Sequence, residues 1–424
     1  MVLNINSMLE RLHVQSVSDQ LYLEESNDVY GDVVAEENDA TTYNNPVIDR
    51  AIEDSGVDGF RTLTNFTPDE FDTIWSVVEM ALQARWHDGR GRRPLSTPKD
   101  ALFMTLVILK YYQTWQKHAL DFDINAPTLE KMIVRVVDVI SPIIYAHFVT
   151  MPTMEALREH GTTFRNYPYA KYATDVKFQP SHRPSGRFGE QKHYFSGKHK
   201  LYGLKIEASV SAQGLLVDMG PHEPGSVADL TMFRKRLDVH VTNLKKTPTE
   251  ATVNDNGELF QAFSTMWAVL VDKGYYGLTA SVRAIHPKKR PSNGALDRPD
   301  LERNSAVSSD RVIVENFFGR VCTLWKISYS TFVWGEKIYD GIQRLTFALT
   351  NFHVGLMPLR DDDLHQYRAV LARYARMAEE KRSQRAATQR RYVHRRAERL
   401  ATESMRSSLV ARGAFLSPTV NTRR

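Results

Sequence analysis

Apolar residues recur at helical spacing through the first third of the chain, then change to strand-like spacing near residue 170. Phe71, Ile74, Trp75, Val78 and Leu82 fall on one helical stripe behind Thr67-Pro-Asp-Glu70. There Thr67 caps the helix, Pro68 takes its first turn and Glu70 closes the capping box. A second helix is expected from Thr97-Pro98 through Leu109, and a short third one over Thr114 to Leu120. A fourth follows from the stripe Leu129, Met132, Ile133, Val136, Val137 and Ile140, with Lys131 and Arg135 off it. Short helices with tight connections and a basic final helix fit a helix-turn-helix-like domain over residues 61–160, with Lys131 and Arg135 as DNA contacts. A plain helical bundle packed on a larger core is the competing reading.

Beyond residue 165 the pattern predicts strands at Tyr172 to Phe178, Lys200 to Ser211 and Leu215 to Met219, then a helix from Gly225 to about Leu237. Trp267-Ala-Val-Leu-Val271 is a continuous apolar run, as in a strand buried on both faces. Ser308 or Ser309 is expected to cap a helix carrying Glu315, and a further helix, Lys337 to Phe352, to cover the sheet. This order predicts an α/β fold: an RNase H-like catalytic domain over 165–355, a mixed sheet flanked by helices, preceded by the all-α domain. The stretch 238–266 is polar and follows no readable pattern. Residues 360–424 are rich in Ala, Arg and Glu and are expected to form a basic, exposed helix.

Charge sharpens the picture at both ends. Net charge is only +5, yet residues 1–60 hold 13 acidic against 2 basic residues, and 364–424 hold 15 basic against 4 acidic. The acidic head, weakly periodic, is expected to be disordered. The basic end suits phosphate backbones, and Gln389-Arg-Arg-Tyr-Val-His-Arg-Arg396 could equally act as a nuclear import signal. The loop Asp88-Gly-Arg-Gly-Arg-Arg-Pro94 is basic and expected to be flexible. A single cysteine, Cys322, excludes an internal disulfide and a cysteine zinc site, and fits a reducing compartment. Ala101 to Leu109 is too short to span a bilayer, and the first residues lack a signal-peptide pattern, so a soluble protein is expected.

Three acidic residues carry the candidate chemistry: Asp175, Asp272 and Glu315. A carboxylate at the end of a buried strand needs a cation beside it, and three converging oxygen donors suit Mg²⁺ or Mn²⁺. Asp272 is followed by Lys273-Gly274, where glycine would permit a sharp turn, and by Tyr275 and Tyr276, which would offer walls for a sugar or base. Taken singly each acid has a plain structural reading: a turn residue for Asp272, a strand end for Asp175, an Arg311 pair for Glu315. Lys198 and Lys200, with Lys192, His193 and His199, flank the second strand, and His286, Lys288, Lys289 and Arg290 follow the Asp272 strand. These are expected along a DNA path; the histidines form no compact zinc set.

Five phrases occur in order: Asp175-Val-Lys-Phe-Gln, Tyr194-Phe-Ser-Gly-Lys-His-Lys-Leu-Tyr-Gly-Leu-Lys205, Pro224-Gly-Ser-Val-Ala-Asp-Leu-Thr-Met-Phe233, Val271-Asp-Lys-Gly-Tyr275 and Arg311-Val-Ile-Val-Glu-Asn-Phe-Phe-Gly-Arg320. Together they resemble the successive motifs of the DDE endonuclease domain of Harbinger/PIF-type transposases, over roughly residues 165–355. The resemblance implies that Asp175, Asp272 and Glu315 form a metal-binding triad, with Asp229 at a supporting acidic position. It implies two divalent ions, DNA as substrate and a separate Myb-like DNA-binding partner; nuclear action and a homo-oligomer are expected beside it, though no residue pattern specifies the oligomer. One departure is Val176-Lys177 where the family often reads Gly-Thr after the first Asp. A transposase-derived protein that binds DNA without cutting it is the alternative, and a nuclease for RNA–DNA hybrids is a third class.

Overall fold

Eleven residues of strand, Ala170–Pro180, run through the middle of a mixed sheet, and the candidate chemistry is placed by what pairs on either side of them. The structure is a computed structural model; it describes residues 45–86, 96–291 and 294–414, together with 13–18, 20–21 and 24. The basic loop 88–94 and most of the acidic head lie outside the described residues.

The central strand is β1. Its antiparallel neighbour is β3 (Leu201–Val210), which is preceded by the two-residue β2 (Phe195–Ser196) and also pairs with β4 (Leu216–Met219) and β5 (Glu223–Pro224). On the other side β1 pairs in parallel with β6 (Ala268–Leu270), and β6 with β7 (Ala284–Ile285). The run Trp267 to Val271 serves two cores: Ala268 and Leu270 pack on one face of the sheet, Trp267, Val269 and Val271 on the other. Alternating side chains with no solvated face explain why this strand reads as continuously apolar.

Six helices precede the sheet: α1 (Pro46–Thr64), α2 (Pro68–Trp86), α3 (Pro98–Tyr111), α4 (Trp115–Phe122), α5 (Ala126–Phe148) and α6 (Met154–Glu159). The capping box at Thr67 forms as its spacing predicts: the Thr67 N–H donates to Glu70, and the Glu70 N–H to the Thr67 hydroxyl. α1 begins inside the segment whose composition reads as disordered and runs past its end. Ile48 and Phe60 anchor it, and its first backbone N–H groups donate to the buried Asp100 carboxylate. The helical region shares one core with the sheet's helices, since Phe66 packs against Trp325 and Phe352 at ring separations of 6.2 and 5.7 Å.

α7 (Phe188–His193) precedes β2; α8 (Asp229–Lys235) and α9 (Leu237–Leu244) lie on one face of the sheet. The helix expected from Gly225 therefore starts at Asp229 and breaks at Arg236. On the other face lies α10 (Arg298–Leu324), followed by α11 (Tyr339–Leu356), which packs along α5. α10 begins about ten residues before the expected serines. Asp297 caps it by accepting from the Asp300 N–H, and Pro299 occupies its first turn, leaving Ser308 and Ser309 mid-helix.

α12 (Asp363–Ala414) is the basic helix, and its first turns are not exposed. Leu364, Tyr367, Val370 and Tyr374 are buried, chiefly against α10, and the Tyr374 hydroxyl donates to the Tyr329 carbonyl at 2.7 Å. The close approach requires Gly319, where an added Cβ would fall 1.8 Å from the Asp363 carbonyl. Among the described residues no helix is long and apolar enough to cross a membrane.

Two imidazoles give the fold an acid-sensitive edge. Burial, reinforced by neighbouring cations, lowers both His199, stacked on Phe178, and His353, beside Arg320, to about 4 from an ordinary 6.5. The native state thus holds fewer protons than the unfolded chain between these values, so this part of the stability is present above pH 6.5 and lost as pH falls to 4. His353→Gln should flatten the acid limb of a Tm-against-pH profile in that window; an unchanged limb would contradict the assignment.

Candidate active site

Asp175 and Asp272 meet because of strand register. Ala173 on β1 is aligned with Leu270 on β6, and two residues further along each chain stand Asp175 and Asp272. Neighbouring parallel strands present equivalent positions on the same face, here the face under α10. Arg311 of α10 lies between them. Its Nη2 donates to Asp175 Oδ2 at 3.1 Å, and its Nη1 to Asp272 Oδ1 at 3.4 Å. Asp175 also accepts the N–H of Val176 at 2.8 Å. Burial pushes the Asp175 carboxyl up to about 6, against the pull of Arg311, with Asp272 adding to the rise and Lys198 opposing it.

Glu315 stands one helical turn beyond Arg311 and is half-buried. Arg311 is committed to the two aspartates, so the plain structural reading of Glu315 as the partner of Arg311 is not the pairing seen. The buried phenol of Tyr367 lies within electrostatic reach of Asp175, Glu315 and Asp229 together, and burial drives its pKa well above the usual value. Asp229, the first residue of α8, accepts from Lys205 Nζ at 2.9 Å. Its Oδ2 would lie 3.7 Å from a Cβ on Gly274, so Asp229 borders the turn that follows Asp272.

That turn differs from the expected one. The left-handed residue is Gly277 (φ 100°), not Gly274. Tyr275 is a core residue whose buried hydroxyl has no partner among the described residues, and of the two tyrosines Tyr276 faces outward, with Lys289 Nζ 4.5 Å from its ring centroid.

The basic candidates are dispersed. Lys198 and Lys200 are exposed at the β2–β3 turn and line a groove of about 580 Å³ against α12, where Lys381, Arg382 and Arg385 face them. Lys288 pairs with Asp300, and Arg290 donates to the Gly294 carbonyl at 2.7 Å. In the helical region Lys131 is exposed, while Arg135 donates to the Arg85 carbonyl, about 50 residues back along the chain. The apolar stripe of α5 is buried against α11 and the other helices.

Among the described residues, no group of three His, Cys, Asp or Glu side chains is placed to hold a metal ion. The donors nevertheless suit a hard divalent ion. Two carboxylates already share one positive group, and Mg²⁺ is commonly held by one or two carboxylates, with water and phosphate oxygens completing its shell. Asp175 and Asp272 would be the primary holders, with Glu315 and Asp229 nearby.

Residues 173–351 match the family model described as DDE superfamily endonuclease, and the match contains all four acids. The chain is also 22% identical over 227 residues to a probable transposase for insertion sequence element IS702 from Microchaete diplosiphon, covering 53% of this chain and 70% of that protein. No solved structure matches the chain.

Sequence reasoning missed Arg311 as the hub of the site, the Lys205–Asp229 pair, and the burial of Tyr367. Only Arg311 left a signal, four residues before Glu315 on a helix too apolar to be solvated.

Proposed function

We propose that this chain is a divalent-metal-dependent DNA nuclease and transposase of the Harbinger/PIF type, on an RNase H-like fold. The observation that carries the reading is the in-register pair Asp175–Asp272 sharing one cation under the helix of Glu315. The strand order β4-β3-β1-β6-β7, antiparallel on one side of β1 and parallel on the other, supports the fold assignment. Bound Mg²⁺ or Mn²⁺ ions, two in this chemistry, would activate a water or 3′-hydroxyl and stabilise the leaving oxygen of an in-line displacement at phosphorus. The chain's part is to hold Asp175 and Asp272 side by side in strand register, with Glu315 on the helix that carries Arg311 and Asp229 restrained by Lys205 beside the turn after Asp272. Asp175 is made harder to ionise by burial, so divalent-ion binding should weaken as pH falls below about 6. Nicking of supercoiled plasmid in Mg²⁺ or Mn²⁺ tests the reading, and duplex against RNA–DNA hybrid competition tests the substrate.

DNA would run along the groove between the β2–β3 turn and α12, past Lys198, Lys200, Lys381, Arg382 and Arg385, with Lys288, Lys289 and Arg290 further along. Deleting 376–424 keeps Tyr374 and the packed turns of α12 but strips the basic ones. Binding should lose salt sensitivity, by about 0.9 in log–log slope for each phosphate contact removed. An unchanged slope would place the DNA elsewhere. Nuclear action through the Gln389–Arg396 cluster, a Myb-like partner and self-association belong to the same reading.

A further inference from the structure

The bridge from Arg311 is built differently from the other arginine clamps of this chain. Arg320 sets two nitrogens on Asp363 at 3.0 and 2.8 Å, Arg283 sets two on Asp255 at 2.6 and 3.0 Å, and Arg236 places one nitrogen on both oxygens of Asp218 at 2.8 and 2.7 Å. Arg320 and Arg283 each close on a single carboxylate, the arrangement that gives strong, directional pairing, and Arg236, which also reaches Glu207 at 3.2 Å, still holds both oxygens of Asp218. Arg311 instead divides its two outer nitrogens between two carboxylates, at 3.1 and 3.4 Å, the second at the edge of hydrogen-bond length. Its third nitrogen, Nε, is buried without a partner among the described residues. A buried donor left unpaired carries a desolvation cost that a permanent clamp would not keep. One of the two carboxylates, Asp272, has a side chain 44% exposed, so a competing cation can reach it from solvent.

We propose that Arg311 is a displaceable internal counterion. It neutralises Asp175 and Asp272 while no divalent ion is bound, keeps the like charges from driving the strand ends apart, and yields at least one carboxylate when the ion arrives. The proposal rests on the reading of these aspartates as metal ligands. Arg311 is thereby a positioning residue: it sets the carboxylates at a spacing ready for a cation and lowers the apparent affinity for that cation by competing with it. Ion uptake becomes an exchange of one positive group for another, without leaving two bare carboxylates in the interim.

The test is a calorimetric Mn²⁺ titration of the full chain, comparing wild type with Arg311→Met and Arg311→Lys, and with Asp272→Asn as the ligand control. Arg311→Met should bind Mn²⁺ roughly tenfold more tightly or better, because charge-assisted contacts no longer compete. Arg311→Lys, a point charge that cannot span both carboxylates, should fall between the two. Without metal, Arg311→Met should have a lower Tm than wild type, and saturating Mn²⁺ should close the gap. Equal or weaker Mn²⁺ binding by a natively folded Arg311→Met overturns the proposal while leaving the metal-site reading intact. Should Arg311→Met not fold, Arg311→Lys decides by the same criterion. Wild type that binds no Mn²⁺, with Asp272→Asn indistinguishable from it, defeats the metal-site reading and the proposal together.

Discussion

Asp272→Ala should reduce Mn²⁺-dependent nicking by about a thousandfold or more while leaving DNA affinity within roughly twofold, since removing one member of a catalytic group that acts as a unit forfeits most of its rate. Asp272 is the most informative of the acids to remove. It sits past the end of β6 with its side chain nearly half exposed, so its loss should not be confused with misfolding. Asp175 lies within β1 and accepts a backbone N–H, which makes its replacement harder to interpret. The substitution also leaves Arg311 paired to Asp175 alone, so the local charge balance shifts by one without stranding a buried cation. Nicking that survives Asp272→Ala would place the chemistry elsewhere; loss of binding together with nicking would make Asp272 a DNA contact rather than a metal ligand.

Asp255→Ala should destabilise the chain by about 3–5 kcal/mol, the usual consequence of removing one partner from a buried ion group. Asp255 accepts from Lys246 at 2.8 Å and from Arg283 at 2.6 and 3.0 Å, and all three side chains are essentially inaccessible to solvent. Burial alone would raise the Asp255 carboxyl, but Arg283 and Lys246 hold it down to about 2. Without Asp255 two cations remain buried and lose their shared carboxylate: Lys246 keeps the Trp267 ring, 4.3 Å away, and Arg283 keeps the Tyr169 ring, 4.7 Å away, and the carbonyls of Glu258 and Met266. Because the native pKa is depressed, the triad's contribution is complete above pH 3.8 and is lost as pH falls through 2. Urea midpoints of wild type and Asp255→Ala at neutral pH measure the effect; a loss below about 1 kcal/mol would mean that water reaches the site.

That triad also shows where the sequence stops being legible. The polar stretch 238–266 follows no periodicity because its order comes from partners outside it, Arg283 above all, and from the Glu250 carboxylate, which receives the Trp267 indole N–H and the Met154 backbone N–H. Local patterns were legible wherever one element meets one face of a core: the strand at Trp267 to Val271, the capping box at Thr67, the stripe of α5. Asp272 could be singled out because a strand end is marked in sequence by the change from apolar to polar residues, whereas Asp175, expected at a strand end, stands in the middle of β1, which runs on to Pro180. Their shared partner could not, since Arg311 is 136 residues from one and 39 from the other, and its short-range alternative, Glu315, is the nearer choice along the helix. Composition misled in two places for a related reason. The acidic residues around α1 hide Ile48 and Phe60, and the arginines of α12 hide Tyr367 and Tyr374, because a few buried anchors can fix a helix whose average composition is polar.

A crystal soaked in Mn²⁺ and measured at the manganese edge tests the central claim most directly. Anomalous density in contact with carboxylate oxygens of both Asp175 and Asp272, on the side toward Glu315, is the expected result. Density only at other sites, or none with the metal in excess, would contradict a metal-dependent nuclease centred on these acids.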